Sequence, residues 1–193
     1  MFNRRHLFTS VSLSLAATLV VACQQDEQGG GGRPALADFQ PLGNSGVDGT
    51  VEFTPLQGGR IRIHAEVTGL EPGSHGIHIH EFGDCSDPEG LSAGDHFNPE
   101  GVAHGGPNSP VRHLGDLGNI TADAGGRGVM TIEVTDLTLD NGPRGILGRS
   151  VVVHADPDDY KTQPAGMSGA RLACAVIRAQ EGDTDLVLPG GGE

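Results

Sequence analysis

The sequence predicts an all-β protein, folded as an eight-stranded Greek-key β-sandwich or flattened barrel. Three observations lead to this fold class. Apolar and polar residues alternate with a period of two in several short segments, which is typical of strands with one buried face. Glycine is abundant, at 32 residues, and aromatic residues make up only 4% of the chain, a composition that suits short strands joined by many turns. No segment after the N-terminal leader has the periodicity of a convincing helix.

Three predicted strands come first, and they cover residues 35–42, 49–56 and 60–70. The third has the clearest alternation of apolar and polar side chains. Gly58-Gly59 suits a hairpin turn between the second and third strands. We expect an antiparallel arrangement with one face buried and the other in water.

The fourth predicted strand, residues 76–82, contains His78 and His80. Residues two apart on a strand project from the same face, so these imidazoles are paired for one metal ion. Residues 83–115 follow with little periodicity and many Gly, Pro, Asp and Asn residues, a length that loops usually reach only with a function or a constraint. Four further strands are predicted at residues 116–122, 128–134, 148–154 and 171–178.

Residues 1–22 predict an export signal peptide, with Arg4 and Arg5 before an apolar run and Ala22 at its end. Cys23 follows directly, as in bacterial signals whose cysteine is lipidated, so we expect a lipid anchor there and no other attachment to a membrane. An ordinary secretory peptide is the alternative, and the paired arginines leave the export route open. Residues 23–34 would then be a tether, 35–182 one folded domain and 183–193 a loose tail. These features predict a location in the bacterial cell envelope or periplasm.

The two remaining cysteines predict a disulfide bond, and the net charge argues against a nucleic-acid-binding protein. Cys85 and Cys174 form an even pair once Cys23 carries lipid, and a disulfide is expected in an oxidising compartment, with two buried free thiols as the alternative. The whole chain has a net charge of -13, and removing Arg4 and Arg5 leaves ten basic against 25 acidic residues, or -15. Such an acidic protein is not expected to bind nucleic acid.

A zinc site is predicted in the long loop. His96, His104 and His113 occur at separations of eight and nine residues, and Asp116 follows His113 by three. Three imidazoles and one carboxylate suit a closed tetrahedral zinc site, which would order the loop.

A copper site is predicted beside it. His78 and His80 on the fourth strand, together with His154 at the end of a later strand, offer an all-nitrogen ligand set suited to copper. His64 lies on the polar side of its strand, so we expect it at the surface. His75 is expected to support the adjoining turn and to bind no metal.

Six segments in order carry a family resemblance: His75-Gly-Ile-His-Ile-His-Glu-Phe-Gly-Asp84, His96-Phe-Asn-Pro99, His104-Gly-Gly-Pro107, Arg112-His-Leu-Gly-Asp-Leu-Gly-Asn119, Val152-Val-His154 and Arg171-Leu-Ala-Cys174. With these segments, the chain resembles copper/zinc superoxide dismutases over residues 35–178.

The resemblance implies a role for each site residue. The implied copper ligands are His78, His80, His96 and His154, and the implied zinc ligands are His96, His104, His113 and Asp116, so that His96 bridges the two metals. Asp158 would link His78 to His104, although Asp156 and Asp159 compete for this role. Arg171 would attract and orient an anion and, with His96, take part in catalysis. The disulfide of Cys85 and Cys174 is also part of the family pattern.

The implied activity is the conversion of superoxide to dioxygen and hydrogen peroxide by alternating reduction and oxidation of copper. One copper and one zinc ion per chain are the implied cofactors, superoxide is the substrate, and a homodimer is possible. The alternative is a protein of the same fold that buffers or delivers copper and zinc without turnover.

Overall fold

The structure is a computed structural model that describes residues 32–181. The predicted signal peptide, Cys23, most of the predicted tether and the predicted tail lie outside these residues. Within them the chain forms ten β-strands and two single-turn 3-10 helices, Gln57–Gly59 and Leu91–Ala93. The strands are β1 (Ala35–Asp38), β2 (Gln40–Pro41), β3 (Asp48–Pro55), β4 (Ile61–Thr68), β5 (Gly73–His80), β6 (Asp116–Ala122), β7 (Gly128–Val134), β8 (Ser150–His154), β9 (Arg171–Val176) and β10 (Arg178–Ala179). Among the described residues, no helix has the length and apolar character needed to cross a membrane.

The all-β fold class is confirmed, but the prediction of eight strands is wrong, since residues 32–181 form ten. The first and last predicted strands are each divided, at Phe39 and at Ile177. At each break the chain changes its pairing partner. Before Phe39, β1 pairs with β3, and after it β2 pairs with β9. Before Ile177, β9 pairs with β8, and after it β10 pairs with β1. Strands that pass between the two halves of a closed sheet bend in this way.

The strands are antiparallel and lie in the order β10-β1-β3-β4-β7-β6-β5-β8-β9-β2. Because β2 continues β1 along the chain and pairs with β9, the row of strands curls back on itself. The neighbours β4 and β7, and likewise β5 and β8, are not consecutive in the sequence, so the connections cross in the Greek-key manner. The halves meet where β6 pairs with β7 through Ala122 and Gly128.

The buried core follows the alternation read from the sequence. On β4, Ile61, Ile63 and Val67 are buried, while Arg62 and Glu66 between them are exposed. Full burial of each such aliphatic side chain contributes roughly 1.5–3 kcal/mol through the hydrophobic effect. The core therefore fixes which face of each strand points outward.

β5 differs because both of its faces are covered. Ile77 and Ile79 pack in the core, whereas His78 and His80 lie on the other face and are also buried. The expected disulfide between Cys85 and Cys174 is present and ties the long loop to β9. Two loops, 81–115 and 155–170, thus enclose the histidines.

Candidate metal centre

The first histidine cluster is built by β5, β8 and the long loop. His78 and His80 come from β5, His154 ends β8, and His96 forms an isolated β-bridge with His80. All four side chains are buried, and one ring nitrogen from each lies within 4.8 Å of the others. The structure thus brings together the four residues predicted to bind copper.

The second cluster contains His96, His104, His113 and Asp116, again all buried, with ligand atoms within 4.8 Å of one another. Asp116 Oδ1 lies 2.9 Å from His96 Nδ1, 3.1 Å from His104 Nδ1 and 3.3 Å from His113 Nδ1. Ligands at about 2.0 Å from a tetrahedral zinc ion are separated by about 3.3 Å, so the spacing fits the ion. Asp116 Oδ2 is fixed by the backbone N–H groups of His113, at 2.8 Å, and Gly105, at 3.1 Å.

Unpartnered nitrogen atoms show that these residues fit metal ions. Four buried ring nitrogens have no hydrogen-bond partner within residues 32–181, namely His78 Nδ1, His96 Nε2, His104 Nδ1 and His113 Nδ1. A buried polar atom without a partner costs about 1–3 kcal/mol. His80 Nε2 and His154 Nε2 face each other at 3.4 Å. Such a concentration of free lone pairs is what a metal ligand set requires.

The opposite ring nitrogen of five of these histidines is held by an oxygen outside the clusters. The pairs are His78 Nε2 with Asp158 Oδ2 at 2.9 Å, His104 Nε2 with Asp158 Oδ1 at 2.9 Å, His80 Nδ1 with Gly94 O at 3.0 Å, His113 Nε2 with Val102 O at 3.1 Å and His154 Nδ1 with Gly169 O at 3.5 Å. An N–H donated outward leaves the inward nitrogen free to coordinate. His96 differs, because its Nδ1 faces Asp116 and its Nε2 has no partner among the described residues. Both of its nitrogens thus point into the clusters.

Burial keeps three histidines of the first cluster uncharged. Removal from water lowers the pKa of His78, His80 and His154 well below the ordinary value, and neighbouring imidazoles lower each of them further. These rings are therefore neutral and available as ligands. Burial alone would raise the pKa of Asp116, but hydrogen bonds from His113, His96 and the Gly105 amide outweigh it and lower that pKa, so the carboxylate is ionised.

An open cleft of about 510 Å³ reaches the first cluster and is lined by His80, His96, His154 and Arg171. The half-buried Arg171 guanidinium donates to Gly90 O at 2.5 Å and to Gly94 O at 2.7 Å. Burial lowers the pKa of Arg171, although Asp95 and Asp87 act in the opposite direction. Gly90 has a φ of +74°, which strains any other residue, and a Cβ there would lie 3.2 Å from Arg171 Cδ. Gly90 thus lets the loop lie close enough to hold Arg171.

Of the three competing carboxylates, only Asp158 reaches the clusters. It is buried between His78 and His104, whereas Asp156 and Asp159 are exposed. Asp159 instead accepts hydrogen bonds within its own turn.

The other two histidines of residues 32–181, His64 and His75, lie outside both clusters. The buried His75 contacts two main-chain oxygens, with Nδ1 3.0 Å from His154 O and Nε2 2.8 Å from Glu71 O. His64 lies on the outer side of β4, where its Nδ1 is 2.8 Å from Thr131 Oγ1.

Three supporting residues were not identified from the sequence. The Asn119 amide pairs with the main chain of Asp158, accepting from its N–H at 2.7 Å and donating to its carbonyl at 2.9 Å. The Arg149 guanidinium lies 3.6 Å from the centre of the Phe97 ring. Gln163 hydrogen-bonds the main chain of His104. Only Asn119 had a sequence signal, as a polar residue within an apolar strand.

The comparisons with known proteins agree with this geometry. Residues 47–177 match the sequence model of the family described as copper/zinc superoxide dismutase. An extracellular superoxide dismutase [Cu-Zn] of Onchocerca volvulus is 43% identical over 159 residues, which cover 77% of each chain. The crystal structure of the clock protein EA4 is similar with a TM-score of 0.70 and 38% identity, over 77% of this chain and 96% of that one.

Proposed function

This chain belongs to the copper/zinc superoxide dismutase family, and we propose that the two histidine clusters together form its metal centre. The protein is a superoxide dismutase, an oxidoreductase that converts two superoxide anions and two protons into dioxygen and hydrogen peroxide. Copper and zinc are its cofactors. The observation that carries the proposed centre is the position of His96, which belongs to both clusters and directs neither ring nitrogen elsewhere.

The proposed copper ligands are the free ring nitrogens of the first cluster: His78 Nδ1, His80 Nε2, His96 Nε2 and His154 Nε2. The proposed zinc ligands are His96 Nδ1, His104 Nδ1, His113 Nδ1 and Asp116 Oδ1. Bound copper supplies one-electron redox chemistry, whereas zinc has none and holds the loop in place. Asp158 is proposed to fix the rings of His78 and His104 by accepting one N–H from each.

Arg171 and His96 are the proposed catalytic residues. The Arg171 guanidinium carries a fixed positive charge at the cleft and presents forked donors, a combination suited to attracting and orienting a small anion. Its position is supported by the carbonyls of Gly90 and Gly94, and Gly94 O also accepts from His80. His96 Nε2 is the atom proposed to hold a proton that the product requires, at the stage when this nitrogen would not be bound to copper.

The competing reading, a protein that only buffers or delivers copper and zinc, is not favoured. Storage requires neither an arginine in the cleft nor an imidazole shared by two clusters. Both features are accounted for by turnover of an anionic substrate.

We also propose a location and an assembly. The relative from Onchocerca volvulus is named as extracellular, and this chain is likewise exported. We propose that Cys23 is lipidated and anchors the protein in a bacterial cell envelope or periplasm. Replacing Cys23 with serine should release the protein from membranes and prevent its labelling with a lipid precursor. A Cys23→Ser protein that stays in the membrane fraction and still carries the lipid label would contradict the anchor.

A homodimer is proposed through the surface around Phe82, whose side chain is 57% exposed although it is large and apolar. Val176 adjoins this surface through Gly83, the residue after Phe82. A Cβ built onto Gly83 would lie 3.1 Å from Val176 Cγ1. Analytical ultracentrifugation tests this assembly by measuring the mass of the wild type and of Phe82→Glu. The wild type should sediment as a dimer and the variant as a monomer.

The proposed centre is tested by superoxide loss in protein reconstituted with copper and zinc. His154→Ala should reduce activity to background, because it removes a proposed copper ligand. His64→Ala is the matched control, because His64 lies outside both clusters, and it should retain full activity. Equal activity in wild type and His154→Ala would exclude the proposed copper site.

A further inference from the structure

Gln163 contacts both main-chain polar groups of His104. Its Oε1 accepts from His104 N at 2.8 Å, and its Nε2 donates to His104 O at 3.0 Å and to Lys161 O at 3.1 Å. The two residues lie 59 positions apart in the sequence, so this contact joins two separate loops. Both ends of the side-chain amide are therefore used to hold one residue.

The chemistry of the partners fixes the orientation of this amide. A backbone N–H can only donate and a carbonyl oxygen can only accept, so the Gln163 oxygen must face His104 N. Neither an aliphatic side chain nor a carboxylate can replace both contacts. Glutamine is thus specifically suited to this position.

His104 is consequently held twice by the 155–170 loop. Asp158 Oδ1 accepts from its ring at Nε2, and Gln163 holds its main chain. With ring and backbone both fixed, the unpartnered Nδ1 has a set direction toward Asp116 Oδ1, 3.1 Å away.

The same glutamine also lines the cleft, together with His154 and Arg171. It therefore joins His104, which does not line the cleft, to the cleft wall, which His96 and His113 of the second cluster line directly. A change in the position of His104 would be transmitted through this amide to the cleft wall.

We propose that Gln163 is a positioning residue that orients His104 toward zinc and couples zinc binding to the cleft wall. This inference rests on the proposed role of His104 as a zinc ligand. Residues that orient metal ligands from outside typically change metal affinity by about 10- to 100-fold when they are replaced.

The test is competition for zinc between a chelator and three metal-free variants. Gln163→Met keeps the length of the side chain and should weaken zinc binding about tenfold. Gln163→Glu should weaken it further, because a second oxygen then faces the carbonyls of His104 and Lys161. Gln57→Met, at an exposed position in the β3–β4 connection, is the matched control and should bind zinc as the wild type does.

Two additional measurements separate the outcomes. Urea unfolding of the metal-free variants shows whether stability alone has changed, and a loss of stability with unchanged zinc affinity would overturn the proposal. Hydrogen exchange of residues 162–169 should slow on zinc addition in the wild type and much less in Gln163→Met; equal slowing would overturn the coupling. If His104→Ala binds zinc normally, the proposed ligand role itself fails, whatever the Gln163 variants do.

Discussion

The buried Asp158 carboxylate hydrogen-bonds one histidine of each cluster and belongs to neither cluster. Its two oxygens each accept an N–H at 2.9 Å, from His78 and from His104, and Oδ1 also accepts from the Tyr160 backbone at 2.7 Å. Gly166 makes room for it, because a Cβ at that position, where φ is +69°, would lie 1.9 Å from Asp158 Oδ1. One buried acid thus holds one ring in each cluster.

Asp158→Asn should weaken metal binding about 10- to 100-fold. An amide can accept the N–H of one histidine, but its own N–H₂ then faces the N–H of the other. Competition with a chelator would measure copper and zinc affinities, and the exposed Asp156→Asn provides the control. Unchanged affinities for both metals in Asp158→Asn would show that the carboxylate orients neither ring.

Residue types and spacing were sufficient to predict the second cluster and three members of the first, whereas the place of His96 in the first cluster was implied only by the family resemblance. The outer partners of these histidines were not predictable from residue types and spacing. The oxygens that hold His80, His113 and His154 are main-chain carbonyls, which every residue carries. The contacts of Gln163 likewise join groups that are remote in the sequence. Only the folded chain brings such partners together.

At the scale of elements, the disulfide connects the long loop to β9. Cys85 lies in the loop that contributes Gly90 O and Gly94 O, and Cys174 lies on the strand that begins with Arg171. The bridge thus stabilises the fold and also keeps the loop against the guanidinium.

Replacing both Cys85 and Cys174 with serine should lower the free energy of unfolding by about 4–5 kcal/mol in the chain-entropy model, since the cysteines are 89 residues apart. Superoxide activity should fall even where the protein stays folded, because Arg171 loses the loop that holds it. Urea unfolding and activity at low temperature test the two effects. A folded variant with full activity would show that the loop holds Arg171 without the bridge.

The turn at Asp159 gives a pH dependence. Asp159 accepts from the Thr162 hydroxyl and from the N–H groups of Thr162 and Lys161, and these bonds lower its pKa from 3.8 to about 2. A carboxyl group with a lowered pKa stabilises the fold above its ordinary pKa, and this contribution is lost as the pH falls through the lowered value. In the metal-free protein, Asp159→Asn should therefore cost stability at pH 5 and progressively less between pH 4 and pH 2. A constant difference across this range would contradict the assignment.

The strands themselves were largely predictable because the period of two is strong. The division at Phe39 was not, since Ala35, Ala37 and Phe39 continue the alternation without interruption and all three are buried. The break arises because the chain changes its pairing partner, which is a property of the closed sheet and not of the local sequence.

At the scale of the whole molecule, the negative net charge of the protein repels the superoxide anion. The full chain carries a net charge of -13, and the cleft contains Glu81 and Asp95 as well as Arg171. Lys161, the one lysine in the sequence, is exposed and does not line the cleft. Local attraction therefore depends on Arg171 and the bound metal ions, within a cleft that focuses their field.

The bimolecular rate constant should accordingly fall as ionic strength rises, because salt screens this local attraction. Asp95→Asn should raise the rate constant at low salt by a factor of about two to ten, since it removes a negative charge near Arg171. Glu133→Gln, which alters an exposed ion pair with Arg60, is the control. A rate constant that climbs with salt would mean that the global repulsion dominates.

The central claim is that both clusters form one centre joined by His96, and electron paramagnetic resonance of protein with Cu(II) at both sites tests it most directly. Two Cu(II) ions that share one imidazolate couple their unpaired electrons, so the low-temperature signal should be much weaker than that of two isolated ions. In His96→Ala loaded with Cu(II) in the same way, no shared imidazolate couples the ions. The signal of this variant should therefore have the full intensity expected for the amount of copper it binds. A full two-ion signal from the wild type would contradict the shared ligand.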